Sequence, residues 1–327
     1  MRDHGGNLGW AKALYGGGDW IDLSTGINRV PYPVPSLSAE AFTALPGRDA
    51  MDLLLECAGL AYGSSGPILA LAGAQAAIQL VPHLRPKGLA RIVSPTYNEH
   101  AATLRACGWQ VEEVPTLEAL AGAAIGIVVN PNNPDGRHWR KVELSGLIGR
   151  VGLLVVDESF ADPAPQDSLA GDAGREGLLV LRSFGKFYGL AGLRLGFALG
   201  WRADVDQMAV RSGPWPVSGP AIEVACKALG DRDWAARTTL RLTEEAARLD
   251  AICMKFGWQA LGGTPLFRLY NTPDATAAQE RLARQQIWSR IFPYSPTWIR
   301  LGLPGGTPEW NRVAAALDGQ IARPTQG

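Results

Sequence analysis

The feature of this sequence that most restricts its fold is a series of short, nearly uninterrupted apolar runs in its middle. Arg91-Ile92-Val93, Ile125–Val129, Leu153–Val156, Leu178–Leu181 and Leu195–Leu199 form the series, each bounded by Gly, Pro, Asn or Asp. A strand that alternates apolar and polar residues can leave one face to water, but one that is apolar throughout has to be covered on both. Segments with helical spacing, such as Glu99–Ala106, lie between the runs. The pattern predicts an α/β fold: a large, doubly wound domain over residues 45–215, its sheet mostly parallel and covered by helices.

From Pro220 onward the pattern changes. A helix over Ala221–Leu229 leads into a long charged one, Asp233–Phe256. Short strands follow at Pro265–Tyr270, Trp288–Phe292 and Trp298–Leu303, with a helix after Pro273 and another from Pro308. Helices beside short strands predict a smaller α+β domain over residues 216–327, reached through the Gly- and Pro-containing linker Gly213–Gly219. The first forty residues are rich in Gly and Pro, and residues 1–44 are expected to form an arm that joins the small domain.

With 327 residues, 46% of them hydrophobic, the chain can build a core without a disulfide or metal staple. Lys+Arg and Asp+Glu are both 31, so net charge points neither to nucleic acid nor to an anionic membrane surface. Cys57, Cys107, Cys226 and Cys253 make no CxxC pair, and the four histidines lack metal-ligand spacing. Free thiols in a reducing compartment and no metal site are expected. Met1–Gly6 has no apolar core of a signal peptide, and no window approaches the roughly 20 apolar residues of a membrane span, so the expected location is the cytoplasm.

In an open α/β sheet, ligands bind beyond the carboxyl ends of the strands, and four segments fall there. Ala70–Gln75 places small residues before an apolar helix, which suits either a plain turn or a cup for an anion at a helix N-terminus. Val129-Asn130-Pro131-Asn132-Asn133-Pro134-Asp135-Gly136 is rich in turn formers, yet it also carries amide side chains to the sheet's edge. Asp157 closes a run of four apolar residues, where a carboxylate needs hydrogen-bond donors or a cationic partner. Lys186 sits among aromatic residues and glycines, where desolvation favours its neutral, nucleophilic form. Ser183 and Arg194 flank it with a hydroxyl and a permanent cation, a pair suited to one phosphate.

Taken together, NPNNPDG, VVDESF and SFGKFYGLAGLRLGF resemble the motifs of fold-type I, class I/II enzymes dependent on pyridoxal 5'-phosphate (PLP), in particular the histidinol-phosphate aminotransferase branch. The resemblance covers nearly the whole chain and implies the PLP-dependent transferase fold. It implies that Lys186 bonds the cofactor, that Asp157 pairs with the pyridine nitrogen and that Asn133 reaches the ring hydroxyl. By the same resemblance, Gly73, Ala74, Gln75, Ser183 and Arg194 hold the cofactor phosphate and Tyr97 stacks on its ring. Arg300 matches the arginine that grips a substrate carboxylate.

Within that branch, His4-Gly5-Gly6-Asn7, Asp22–Asn28, Ser289–Phe292 and Trp298–Gly305 are similar to the threonine-phosphate decarboxylases of cobalamin biosynthesis, of the aerobic-pathway type. That likeness implies His4, Asn28 and Arg290 as further contacts to a small phosphorylated amino acid, with Asn133 shared between cofactor and substrate. Phe160 stands where aminotransferases carry a tyrosine, and Leu45-Pro46 where the branch often has Tyr-Pro. The resemblance also implies a homodimer. Three activities follow: threonine-phosphate decarboxylation, histidinol-phosphate-type transamination, or PLP binding without turnover in cobalamin assembly.

Overall fold

The computed structural model describes residues 4–318. By their contacts these residues divide into two compact units, one spanning 31–237 and the other built from both chain ends, 4–30 with 238–318.

The 31–237 unit is built on a seven-stranded sheet. Its strands are β1 (Ile68–Leu71), β2 (Leu89–Val93), β3 (Gln110–Val114), β4 (Ile125–Val129), β5 (Leu154–Asp157), β6 (Leu178–Ser183) and β7 (Gly196–Gly200). They lie in the order β1-β7-β6-β5-β4-β2-β3, parallel throughout from β6 to β3, with β7 antiparallel to both its neighbours. Every residue of β4, β5 and β7 is buried, which explains their apolar sequences. β3 is different. As an edge strand it exposes Gln110 and Glu113, and its mixed pattern gives no apolar run to read. β1, at the other edge, is apolar throughout, with Ile68 and Leu69 half-buried and Ala70 and Leu71 buried.

Helix α1 (Arg48–Tyr62) and helix α4 (Gly219–Gly230) pack on one another within this unit, while α2 (Ala74–Leu80) and α3 (Glu99–Ala106) follow β1 and β2. Ser218 caps α4 by accepting from Ala221 N, and Pro220 occupies its first turn, where no backbone donor is needed. The contact boundaries at 30/31 and 237/238 differ from the compositional ones at 44/45 and 215/216, because α4 buries Ala221, Val224, Ala225 and Ala228 in the same unit as α1.

The second unit contains the antiparallel strands β8 (Gln259–Thr264), β9 (Phe267–Asn271), β10 (Arg290–Phe292) and β11 (Ser295–Gly302), in the order β10-β11-β9-β8. The stretches 265–270 and 288–292, read as single strands, each contain a break: Pro265-Leu266 turns between β8 and β9, and Ser289 separates β10 from Ile287–Trp288. Ile21–Asp22 pairs in parallel with Ile287–Trp288. Asn7 caps the helix Leu8–Tyr15, and the rings of Trp10, Tyr15 and Trp20 lie 5.4, 6.4 and 6.4 Å from that of Trp288. Among the described residues, no helix is long and apolar enough to cross a membrane.

Candidate active site

Register brings the site residues to one edge of the seven-stranded sheet. Gly196, which opens β7, lies opposite Leu71 at the end of β1 and opposite Ser183 at the end of β6. Asp157 ends β5 opposite Val129, the last residue of β4. The segments that follow these strands therefore converge.

After β1 the chain turns at Gly73, whose φ of 82° lies in the left-handed region that favours glycine. A Cβ there would stand 2.9 Å from the Arg194 guanidinium, and one on Gly196 would stand 2.4 Å from the Ala74 nitrogen. The two glycines thus let β7, the start of α2 and the arginine approach closely. Arg194 itself has φ 53°, held at the end of the short turn Ala191–Leu193.

Asp157 is buried and fully engaged on the protein side. Its Oδ2 lies 2.9 Å from His100 Nε2, and its Oδ1 accepts from Ser159 N at 3.0 Å and Ser159 Oγ at 2.5 Å. Burial would raise this carboxyl; the hydrogen bonds and charge of His100, with those of Ser159, outweigh it and hold the pKa below the ordinary value. An ionised carboxylate is thereby kept at the sheet's edge.

Beyond β6, Lys186 sits in a helical turn, Phe184–Phe187, clamped by aromatic rings. Phe184 stacks on Tyr188 with centroids 4.4 Å apart, and Tyr188 stacks on Trp234 at 5.5 Å. Lys186 Nζ lies 5.6 Å from the centre of the Phe160 ring. Next to this turn, Arg182 is buried in a cluster with Glu158 at 2.9 Å and Asp162 at 2.8 Å, which anchors the end of β6 to the segment after β5.

The three asparagines after β4 divide their tasks. Asn130 clamps Trp139 by accepting from its N–H and donating to its carbonyl, and Asn132 donates to Pro95 O and Asp135. Asn133 lines the cavity. Past β2, the Tyr97 hydroxyl donates to Gln75 Oε1 at 3.3 Å, and Gln75 in turn donates to Glu99 at 3.0 Å.

Gly73, Ala74, Gln75, Tyr97, Asn133, Asp157, Ser183, Lys186 and Arg194, the residues expected around the cofactor, line one cavity of about 150 Å³. All belong to the 31–237 unit. His100 and Ser159, which hold Asp157, were not expected from the sequence. His100 gave no signal in the sequence, because Asp157, its partner at 2.9 Å, is 57 residues away.

The residues expected around a substrate, other than Asn133, lie in the second unit. Arg290 of β10 and Arg300 of β11 are direct cross-strand partners. Arg300 is buried and its Nη2 donates to Ser24 O at 2.7 Å. Burial first, and the neighbouring Arg290 charge second, pull its pKa down, with Tyr294 and Asp22 opposing them. His4 and Arg290 line a second, wider cavity with Ser24, Trp10 and Ser289. Asn28 and Arg300 are not among its lining residues; Asn28 is buried and accepts from Arg241 and from Val30 N.

The chemistry of the first cavity fits PLP. Donors at Ser183 and Arg194, beside a turn that a Cβ on Gly73 would fill, suit a phosphate; a buried, ionised carboxylate suits a protonated ring nitrogen; and an amine stands beside both.

The chain belongs to the aminotransferase class I and II family, whose model matches residues 46–317. It is similar to the threonine-phosphate decarboxylase of Pseudomonas aeruginosa, at 44% identity over 98% of this chain and 98% of that one. It is also 44% identical to the threonine-phosphate decarboxylase of a Sinorhizobium species, over 96% of this chain and 97% of the other. Among solved structures, the histidinol-phosphate aminotransferase of Sinorhizobium meliloti, in complex with pyridoxal-5'-phosphate, is similar in fold, with a TM-score of 0.81 over 97% of this chain and 94% of that one at 20% identity.

Proposed function

We propose that this chain is a PLP-dependent threonine-phosphate decarboxylase, converting L-threonine O-3-phosphate to (R)-1-aminopropan-2-yl phosphate and carbon dioxide. The observation that carries the reading is 44% identity to decarboxylases of that name, running through both ends of the chain as well as the cofactor motifs. The product would supply the aminopropanol linker of cobalamin. We place the enzyme in the cytoplasm as a homodimer.

Bound PLP supplies an electron sink for the bond broken at the substrate's Cα. In this reading Gly73, Ala74, Gln75, Ser183 and Arg194 hold its phosphate, Tyr97 lies against the ring and Asn133 reaches the ring hydroxyl and the substrate. Asp157, kept ionised by His100 and Ser159, holds a proton on the ring nitrogen. Lys186 bonds the cofactor at rest and carries the proton that Cα receives. Arg300 takes the substrate carboxylate, setting the angle of the bond that breaks, while His4 and Arg290 bind the substrate's phosphate and Asn28 is a further contact to the substrate. The reading is supported by the cross-strand neighbours Arg290 and Arg300, two cations whose charge suits the two anionic groups of one substrate.

Incubation of PLP-loaded protein with L-threonine phosphate and no keto acid tests the activity. Equal amounts of carbon dioxide and aminopropanol phosphate are expected, and neither from Lys186→Ala. Conversion of the cofactor to its amine form by histidinol phosphate, without carbon dioxide, would replace this reading with transamination.

A further inference from the structure

Phe160 is buried, 5% exposed, and lines the cofactor cavity. Its position follows from the turn after β5, where Ser159 N and Oγ both donate to Asp157. The Lys186 ammonium lies 5.6 Å from the ring centre, within the range at which the negative face of an aromatic ring attracts a cation. That attraction acts on the ammonium and not on the neutral amine, so at this contact it opposes the desolvation that favours the neutral form. The other charged side chains lining this cavity are Asp157 and Arg194, of opposite sign, and Asp157 is engaged by His100 and Ser159.

We propose that the Phe160 ring is a positioning element for Lys186: whenever that amine is released from the cofactor, the ring keeps it protonated and facing Cα, so that it gives a proton instead of taking one. The inference rests on the decarboxylase reading above. The balance closes when the substrate arrives as its ammonium, whose proton passes to Lys186 Nζ as that amine is released. With PLP bound, the electron pair freed when the bond from Cα to the carboxylate breaks and carbon dioxide leaves would be accepted by the cofactor, and the new Cα–H bond would take its proton from Lys186 Nζ, leaving that amine neutral. Transamination must begin from the neutral lysine, which removes a proton from Cα. The contact therefore biases the outcome toward decarboxylation.

The test is a graded series in which the Phe160 side chain is replaced by mono-, di- and trifluorinated phenylalanine, with Phe160→Leu as the endpoint. Fluorination weakens the ring's negative face and leaves its shape nearly unchanged, so folding is not at issue for the series. In the cofactor-free protein at fixed pH, acylation of Lys186 by acetic anhydride, read by peptide mass spectrometry, is expected to quicken with each fluorine, roughly two- to tenfold overall. In the loaded enzyme, the share of turnovers that end in aminated cofactor is expected to rise in the same order. Carbon dioxide release by the wild type with a flat acylation series would overturn the inference alone. Absence of carbon dioxide release from the wild type would overturn the decarboxylase reading, and the inference with it.

Discussion

At the scale of single residues, the site depends on carboxylates and arginines held in charge states that burial opposes. Asp157 is one case, and its depressed pKa has a direction. Its ionised form contributes stability above the ordinary carboxylate range, and that contribution is lost as the pH falls through the lower, folded value. Replacing His100 removes the donor at 2.9 Å. We expect His100→Phe to raise the Asp157 pKa, shift the acid limb of the rate profile to higher pH and cut kcat at least about tenfold. A pH profile of kcat and of the thermal midpoint would register both changes. Arg290 and Arg300 are the opposite case, two cations paired across strands. L-Threonine phosphate should raise the melting temperature of wild type, and Arg290→Ala should reduce that gain. An unchanged midpoint in differential scanning fluorimetry, with and without ligand, would contradict this account of the pair.

At the scale of elements, β7 and α2 approach so closely that side chains are excluded where they meet. Gly196→Ala would place a methyl 2.4 Å from the Ala74 nitrogen, and Gly73→Ala would combine a left-handed backbone with a contact on Arg194. Each should cost roughly 1–3 kcal/mol of cofactor binding, a PLP affinity about tenfold or more weaker by absorbance titration, with the rest of the sheet unchanged. What could be read from the sequence follows the same physical line. β4, β5 and β6 were legible because burial on both faces demands continuous apolar residues, and α3 was legible over Glu99–Ala106 in full. The edge strand β3 was not, since one side of it answers to water. Lys186 and Asp157 stood out because their motifs are contiguous. His100 did not, because its partner is 57 residues away and only the fold brings them together. Nor could residue type alone separate Asn130 and Asn132, which hold their own loop, from Asn133, which lines the cavity.

At the scale of the whole molecule, the proposed homodimer has apolar surface in the 31–237 unit to draw on. Phe42, Leu45, Leu53 and Leu60 are 69%, 66%, 51% and 65% exposed, on the helix Glu40–Thr43, on α1 and between them. Sedimentation of the wild type should give twice the chain mass, and Phe42→Glu with Leu53→Glu should shift it to one. The cofactor residues all belong to 31–237, and Arg300 does not. Arg300→Lys should therefore raise KM for threonine phosphate at least tenfold and leave PLP affinity unchanged, as steady-state kinetics and a cofactor titration would report. The second unit is assembled from residues 4–30 and 238–318, and its segment Ile21–Asp22 pairs as a strand with Ile287–Trp288. During synthesis, residues 4–30 are made well before the segment 238–318 that they join, so their strand partner arrives only after the whole of 31–237 has been made.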